Sequence, residues 1–516
     1  MSGPEKFTPS GIELGLYSNR VDALCEEMGS LLGRVALSPN IRDRLDYSCA
    51  LFDVYGRLLG QATHIPVHLG SMAFAMADVV QKFDWQPGDS VVFNDPFKGG
   101  THLPDVTFVS PVFYAGKLSG FVANRAHHAD IGSETPGSMP VTRSLSEEGI
   151  IIAPTRLVRS GVLDESWLSA LCGKLNDEQA SRGDFAAQLA ANRLGCRRLE
   201  ALLGEYGFER CQELAVALQD YGRRMALISL GEIPRGRYRF GDVLDDDGFG
   251  HRDISLEVCV NADENGVTVD FDGTAGQVEG NLNCPLPVTA AAVAYVFRCL
   301  MPPQTPSCHG ALAAVGINAP AGTLVNANAP AAVAAGNVET SMRIVDAVCG
   351  ALAQALPGKI PAASQGTMNN LAMGCRGKHS WDYYETLAGG HGAGIDFDGR
   401  SARHSHMTNT LNTPVEVLER HYPMRIEQYS IRRGSGGQGR HHGGDGIVRE
   451  YRFLENAELS ILSERRWHAP WGLEGGRAGK PGLNLLDGDD LGSKCQLQVK
   501  AGQLLRIETP GGGGYG

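Results

Sequence analysis

The stretch Asn94-Asp-Pro-Phe-Lys-Gly-Gly-Thr-His-Leu-Pro-Asp105, continued through Val106 to Tyr114, Ala115-Gly-Lys117 and Leu118 to Arg125-Ala-His-His-Ala-Asp130, decides where this chain places its chemistry. Two β-prone arms flank a glycine turn, which predicts a β-hairpin over residues 106–126. With the turn centred on Gly116, Asp105 and His127 each stand eleven residues from it and face one another at the open end. His102 lies on the adjoining loop, three residues before Asp105, where Gly99 and Gly100 let the backbone approach a ligand closely. Pro111 interrupts one arm and predicts a bulge that can slip the register by one or two residues. Two imidazoles and a carboxylate therefore converge. That donor set suits one divalent ion of the Zn, Mn or Fe(II) type, with positions left open for water or substrate. Such an ion brings the pKa of water from about 15.7 to about 7, roughly 12 kcal/mol toward hydroxide at neutral pH. A single histidine near a turn more often just hydrogen-bonds the backbone; the convergence of three residues favours the metal.

Working outward, apolar residues at three- and four-residue spacing predict a helix over Val21 to Leu37, and Ser38-Pro39-Asn40 ends it. Asp46 to Phe52 reads as a strand, Met72 to Lys82 as a helix and Asp89 to Phe93 as a short strand. Residues 163–231 read as helical with a break at Gly204 to Gly207, and Arg235 to Asp272 as β. Pro287 to Met301 and Glu339 to Ala355 read as helices, and the rest as strand- and glycine-rich up to Thr509-Pro-Gly-Gly-Gly-Gly-Tyr-Gly516. The predicted class is mixed α/β and multi-domain. A metal-binding catalytic region with a helical segment covers 1–230, a central α/β region 231–380, and a β-rich C-terminal region 381–516.

Composition narrows the function classes. The formal charge is −12, from 46 basic and 58 acidic residues, which disfavours nucleic acid and anionic membranes as partners. Met1-Ser-Gly-Pro-Glu-Lys-Phe7 lacks the pattern of a signal peptide, and no stretch reaches the ~18 apolar residues of a membrane span. The twelve cysteines are scattered without a Cys-x-x-Cys pair, which fits small buried hydrophobes in a reducing cytoplasm.

Other motifs fail their context tests. His64-Ile-Pro-Val-His68 has the i, i+4 spacing of a zinc helix, but Pro66 interrupts it, so it reads as a wall of the site. Gly434-Ser-Gly-Gly-Gln-Gly439 runs into Arg440-His-His-Gly-Gly-Asp-Gly446 where a dinucleotide site needs a helix. Gly475-Gly-Arg-Ala-Gly-Lys480 is one residue short of a phosphate loop and continues with Pro481. There is no G-x-S-x-G elbow. His404-Ser-His406, Glu385 and Glu148 are polar groups in glycine-rich settings that can line a pocket or simply be solvated.

The two opening motifs resemble the hydantoinase B/oxoprolinase family. So do Ser38-Pro-Asn-Ile-Arg-x-Arg-Leu-Asp46-Tyr-Ser-Cys-Ala, Val269-Asp-Phe-Asp-Gly-Thr274, His406-Met-Thr-Asn-Thr-x-Asn-Thr-Pro-Val-Glu416, the glycine stretch Arg433 to Glu450 and the terminal Thr-Pro-Gly-Gly-Gly-Gly-Tyr-Gly. The resemblance covers nearly the whole chain, and the length suits a stand-alone B subunit. It implies an ATP-dependent amidohydrolase that opens a hydantoin, oxoproline or lactam ring. ATP and Mg would reside on a separate hydantoinase A-type ATPase subunit, in a hetero-oligomer containing a dimer of this chain. It places the metal on His102, Asp105 and His127 and adds Asp46, which the hairpin spacing does not predict. In the implied mechanism the partner phosphorylates the amide oxygen and water then attacks the activated carbon. His128 or Asp130 would shuttle protons, and Glu148 completes the set of candidate catalytic groups. The alternative is the large subunit of an acetone- or acetophenone-type carboxylase, which would show a bicarbonate requirement. A third, non-enzymatic reading is a scaffold for the ATPase, which would bind no metal and tolerate loss of His102.

Overall fold

The predicted hairpin is the middle of a larger sheet. The structure, a computed structural model, describes residues 9–62, 65–264, 266–377 and 380–516; His64 and the first eight residues lie outside the described residues. Seven antiparallel strands pair in the order β2-β1-β5-β4-β3-β6-β7. They are β1 (Tyr47–Phe52), β2 (Leu58–Gln61), β3 (Ser90–Phe93), β4 (Asp105–Tyr114), β5 (Lys117–His127), β6 (Thr155–Arg159) and β7 (Val162–Leu163).

The hairpin register is the predicted one at its mouth, with Asp105 opposite His127, for a reason the sequence reading did not contain. The turn is the two-residue Ala115-Gly116, both at positive φ (49° and 77°), the backbone a tight right-twisted hairpin requires. That turn alone would set the register one residue off. A bulge that leaves Ser119 unpaired between Leu118 and Gly120 restores it. Pro111 stays in register opposite Phe121; the bulge begins one step further on, between Val112 and Phe113.

Both faces of this sheet are covered, so its strands are buried along nearly their whole length rather than alternating with solvent. Ala50, Phe52, Val91, Val109, Phe121 and Ala123 pack on one face with Met72, Ala75, Met76 and Val79 of α3 (His68–Lys82). Cys49, Leu51, Val122 and Ala126 point the other way, toward α1 (Gly11–Val35) and the long helices α5 (Glu178–Tyr206) and α6 (Phe208–Leu230). Between them come the one-turn α2 (Pro39–Arg42) and α4 (Glu165–Cys172). Ser10 caps α1 by accepting the Glu13 N–H at 3.1 Å. Gly207 at φ 83° makes the predicted break between α5 and α6.

A second sheet, β11-β10-β9-β8, contains β8 (Gly236–Asp246), β9 (Arg252–Asp263), β10 (Gly266–Asp270) and β11 (Val315–Asn318), with β10 and β11 parallel. Its core is shared with α7 (Leu286–Leu300) and α9 (Ser341–Ala355), the short α8 (His309–Leu312) lying between them in sequence. The α9 region begins with a π-turn, Gly336–Thr340, where the sequence pattern predicts plain helix from Glu339.

The C-terminal part carries two more antiparallel sheets. One is β13-β12-β16-β19: β12 (Asn370–Cys375), β13 (Trp381–Thr386), β16 (Ala457–Leu462) and β19 (Lys494–Val499). The other is β14-β15-β20-β17-β18, with β14 (Met424–Arg432), β15 (Gly446–Phe453), β17 (Leu483–Leu486), β18 (Asp489–Asp490) and β20 (Leu504–Glu508), preceded by α10 (Val415–His421). The glycine clusters pack backbone against backbone here. A Cβ on Gly512 would sit 1.9 Å from the His391 carbonyl, and one on Gly436 1.9 Å from that of Gly443. The G-x-G-x-x-G-like stretch is thus used for close chain packing. No helix among the described residues is long and apolar enough to cross a membrane.

Candidate metal centre

Three neighbouring strands deliver the site. Asp105 opens β4, His127 ends β5, and Asp46 immediately precedes β1, whose Tyr47 pairs with Ala126. The His127 N–H donates to the Asp46 carbonyl at 3.0 Å, so the ladder continues one step beyond the strands. The loop carrying His102 is fixed from within. Asn94 Nδ2 donates to the Leu103 carbonyl at 2.8 Å, and Asn94 Oδ1 accepts from Ile152 N–H. Gly99 adopts φ 106°, and the fully buried Arg125 donates to its carbonyl at 3.0 Å and to Thr107 and Ser71 hydroxyls at 2.8 and 2.7 Å.

Asp105 Oδ1 lies 3.1 Å from His102 Nε2 and 3.2 Å from His127 Nδ1. All three residues are buried, and their donor atoms lie within 4.8 Å of one another. Ligand bonds of about 2.0–2.2 Å at tetrahedral to octahedral angles put donor atoms about 2.8–3.6 Å apart, so the two distances from Asp105 fit a shared metal ion. The hydrogen-bond inventory agrees. Neither ring nitrogen of His102 and not Nε2 of His127 has a hydrogen-bond partner, although both rings are buried. Orphaned buried nitrogens are costly unless something else satisfies them.

Burial alone would push the Asp105 carboxyl up, but the positive charge available on His102 and His68 holds it well below the usual carboxylate range. Burial also pulls the His127 imidazole down, against the pull of Asp105, which favours the neutral, ligating form. Behind His127 lies the ring of Tyr384, stacked at 4.9 Å and nearly parallel at 15°. The buried Arg44 guanidinium lies 4.7 Å from that ring's centre and donates to the Tyr384 carbonyl at 3.0 Å. Tyr384 Oη donates to Asn370 Oδ1 at 2.8 Å, and Asn370 Nδ2 donates to Glu339 Oε1 at 2.6 Å.

The cavity over the cluster has about 20 Å³ of free space, roughly what one water or ion occupies. Asp46, Ile65, Val67, His68, Asn337, Val338, Met368, Tyr384, Met407 and Thr408 line it with the three donors. Asp46 is thus on the wall, with its carboxylate 4.0 Å from Arg44 Nη2 and outside the set of mutually close donor atoms. His68 is also on that wall, as the sequence reading had it, 3.3 Å from Asp105 Oδ2.

The candidate catalytic groups are not brought to this cavity. His128 turns away from His127, as strand alternation demands, and its Nε2 meets Gln188 Oε1 at 2.8 Å. Asp130 accepts from Gly132 N–H and from both the backbone and side-chain amides of Asn176, at 2.7–2.9 Å. Both line a separate cleft of about 340 Å³ with Arg42, Trp381 and Tyr422. Glu148 is buried, accepts from Val333 and Ala334 N–H at 2.7 and 2.9 Å, and is pushed up to about 7 by burial, opposed by those donors and by nearby His102. Glu385 pairs with Arg449, and His406 with Asp346 at 3.2 Å. Burial pulls His404 down to about 3. Tyr384 and Asn337 were missed by sequence reasoning because they come from distant segments and carry no local signal; Arg44 lies inside the motif that ends in Asp46 and was given no role.

The family model for hydantoinase B/oxoprolinase matches residues 10–516. The chain is 39% identical to 5-oxoprolinase 1 of Arabidopsis thaliana over 98% of its own length, and spans 42% of that longer protein. It is 39% identical to an uncharacterized protein of Methanocaldococcus jannaschii over 98% of its own length and 90% of the relative. Among solved structures, the ATP-dependent caprolactamase of Pseudomonas jessenii superposes with a TM-score of 0.92 at 28% identity, covering 99% of this chain and 92% of that one. An acetone carboxylase shares the fold at 18% identity and a TM-score of 0.87, covering 97% of this chain and 75% of that one. From its first helix to its last glycine, the chain belongs to the hydantoinase B/oxoprolinase family.

Proposed function

We propose that this chain is the metal-dependent, ring-opening part of an ATP-dependent cyclic-amide hydrolase acting on a hydantoin, oxoproline or lactam. The carrying observation is the buried His102–Asp105–His127 cluster, with its unpartnered ring nitrogens, in a chain matched end to end by the hydantoinase B/oxoprolinase family. A divalent ion held there would supply Lewis acidity and hydroxide at neutral pH. The chain's own residues do the rest. Asp105 brings the negative charge, and burial favours the neutral, ligating form of His127. Tyr384 and Arg44 hold His127 in one orientation. Val67, Val338, Met368 and Met407 keep bulk water out, and Asn337 and Thr408 offer polar contacts to an amide. Met368 and Met407 are the flexible members of the wall, suited to giving way to a ring.

Unstrained lactams resist direct attack because their amide resonance must first be broken, which explains a need for ATP. We place that step, with its Mg, on a hydantoinase A-type ATPase partner in a hetero-oligomer containing two copies of this chain. This chain spans 42% of the Arabidopsis protein and 90% of the Methanocaldococcus one. A cytoplasmic location fits twelve cysteines that are all unpaired. Proton transfer by His128 or Asp130 would have to act from the cleft that they line, and Glu148 would act from its buried place near His102; an unchanged turnover in His128→Ala removes His128 from the mechanism. The test of the whole reading is a panel of lactams, hydantoins and ketones offered to the chain with its ATPase partner. ATP-dependent ring opening without added bicarbonate is expected. A strict bicarbonate requirement with a ketone would transfer the chain to the carboxylase branch.

A further inference from the structure

We infer that His68 is a positioning residue which, with Thr101, pins the outer oxygen of Asp105 so that only Oδ1 is presented to the metal. The Ile65 N–H donates to Ser48 Oγ at 3.2 Å. That leaves the single hydroxyl proton of Ser48 free for its other neighbour, His68 Nδ1, at 2.9 Å. With Nδ1 accepting, the ring proton resides on Nε2, which faces Asp105 Oδ2 at 3.3 Å. The opposite tautomer would set an imidazole lone pair against a carboxylate oxygen inside a buried site, which is repulsive. A doubly protonated ring would donate to Asp105 just the same. Either way His68 is a donor to Asp105.

Thr101 Oγ1 donates to the same Oδ2 at 2.6 Å. Oδ2 therefore holds two donors, while Oδ1 faces the two imidazoles at 3.1 and 3.2 Å. The carboxylate is presented through one oxygen, in the manner of small ions with few ligands and unlike the bidentate carboxylates that calcium accepts. His68 is itself rigid: it is 1% exposed and starts α3, with its N–H on the Ile65 carbonyl at 3.1 Å and that of Val67 on Met407 at 3.2 Å. Such outer partners of metal ligands are worth about 10- to 100-fold in metal affinity.

The inference rests on the metal-centre reading, and the test separates the two. The full chain is stripped of metal and titrated with Zn²⁺ against a chromophoric chelator, as wild type and as His68→Leu, His68→Gln and Thr101→Val. Wild type should bind one ion. His68→Leu and Thr101→Val should each bind about 10- to 100-fold more weakly. His68→Gln keeps an acceptor for Ser48 and a donor for Asp105, so it should recover most of the loss. The Co²⁺-loaded His68→Gln protein should keep the wild-type visible spectrum, since no ligand is lost. Wild-type affinity in Thr101→Val and in a folded His68→Leu overturns the inference. So does a changed Co²⁺ spectrum in His68→Gln, which would make His68 a ligand. Wild type that binds no ion sinks the metal-centre reading and the inference with it.

Discussion

Tyr384 joins the metal centre to the C-terminal sheet, and two substitutions separate what its ring does from what its hydroxyl does. Tyr384→Phe keeps the ring against His127 but removes the donor to Asn370 Oδ1, leaving that acceptor buried. An unsatisfied buried group of this kind costs about 1–3 kcal/mol. Tyr384→Leu also removes the near-parallel stack on His127 and the Arg44 contact at 4.7 Å. Aromatic pairing contributes about 0.5–1.5 kcal/mol and a desolvated cation–π contact about 2. The Leu variant should then lose about 3.5–6.5 kcal/mol in all, an upper value because these contacts share one network. Urea denaturation gives the stability loss, and Zn²⁺ competition titration gives the effect on the site. The Phe variant should be destabilised yet bind metal within about twofold of wild type. The Leu variant should bind about 10- to 100-fold more weakly, because the His127 ring is no longer held in plane. Equal metal loss in both would make the hydroxyl chain to Glu339 the support and refute the stacking argument. Full affinity in the Leu variant would refute any role for Tyr384 at the site.

Two further predictions concern the fold. Gly512→Ala places a Cβ against the His391 carbonyl, where nothing but backbone can move, so it should cost about 3 kcal/mol or more; Gly15→Ala, in open space within α1, should gain about 0.5–1 kcal/mol. Thermal midpoints that fall together for both would refute the backbone-packing account of the glycine clusters. Burial and the neighbouring Glu26 raise Asp22 from 3.8 to about 6. Its protonated form is favoured in the folded chain, so the stability it contributes is complete below about pH 4 and lost as pH rises through 6. Asp22→Asn should therefore be more stable than wild type at pH 7.5, by at most about 3 kcal/mol for two pKa units, and the gap should close toward pH 4. A gap of the same size at both pH values would contradict the assigned shift.

The centre of the site was legible because a hairpin converts sequence spacing into distance. Asp105 and His127 face each other as the symmetric reading required, even though that reading placed the turn one residue off and knew nothing of the bulge at Ser119 that compensates. Asp46 could not be reached in this way. Its place depends on β1 pairing with β5 through Tyr47 and Ala126, a choice among strands that spacing does not encode. Nor could Tyr384 or Asn337, which arrive from segments more than two hundred residues away. Strand alternation, by contrast, was available from the start: residues 127 and 128 are consecutive in an extended chain, so His128 must turn from the face that His127 serves. The glycine-rich stretches were recognised as not nucleotide loops, but their use as mutual backbone packing needs the partner segments in view.

The most direct test is an X-ray anomalous map of the chain crystallised after exposure to Zn²⁺ or Mn²⁺, alongside metal analysis of the same preparation. One ion per chain is predicted, bonded to His102, Asp105 and His127, and lost in Asp105→Asn. An ion bound elsewhere, or a chain that stays metal-free and still opens cyclic amides with its ATPase partner, would contradict it.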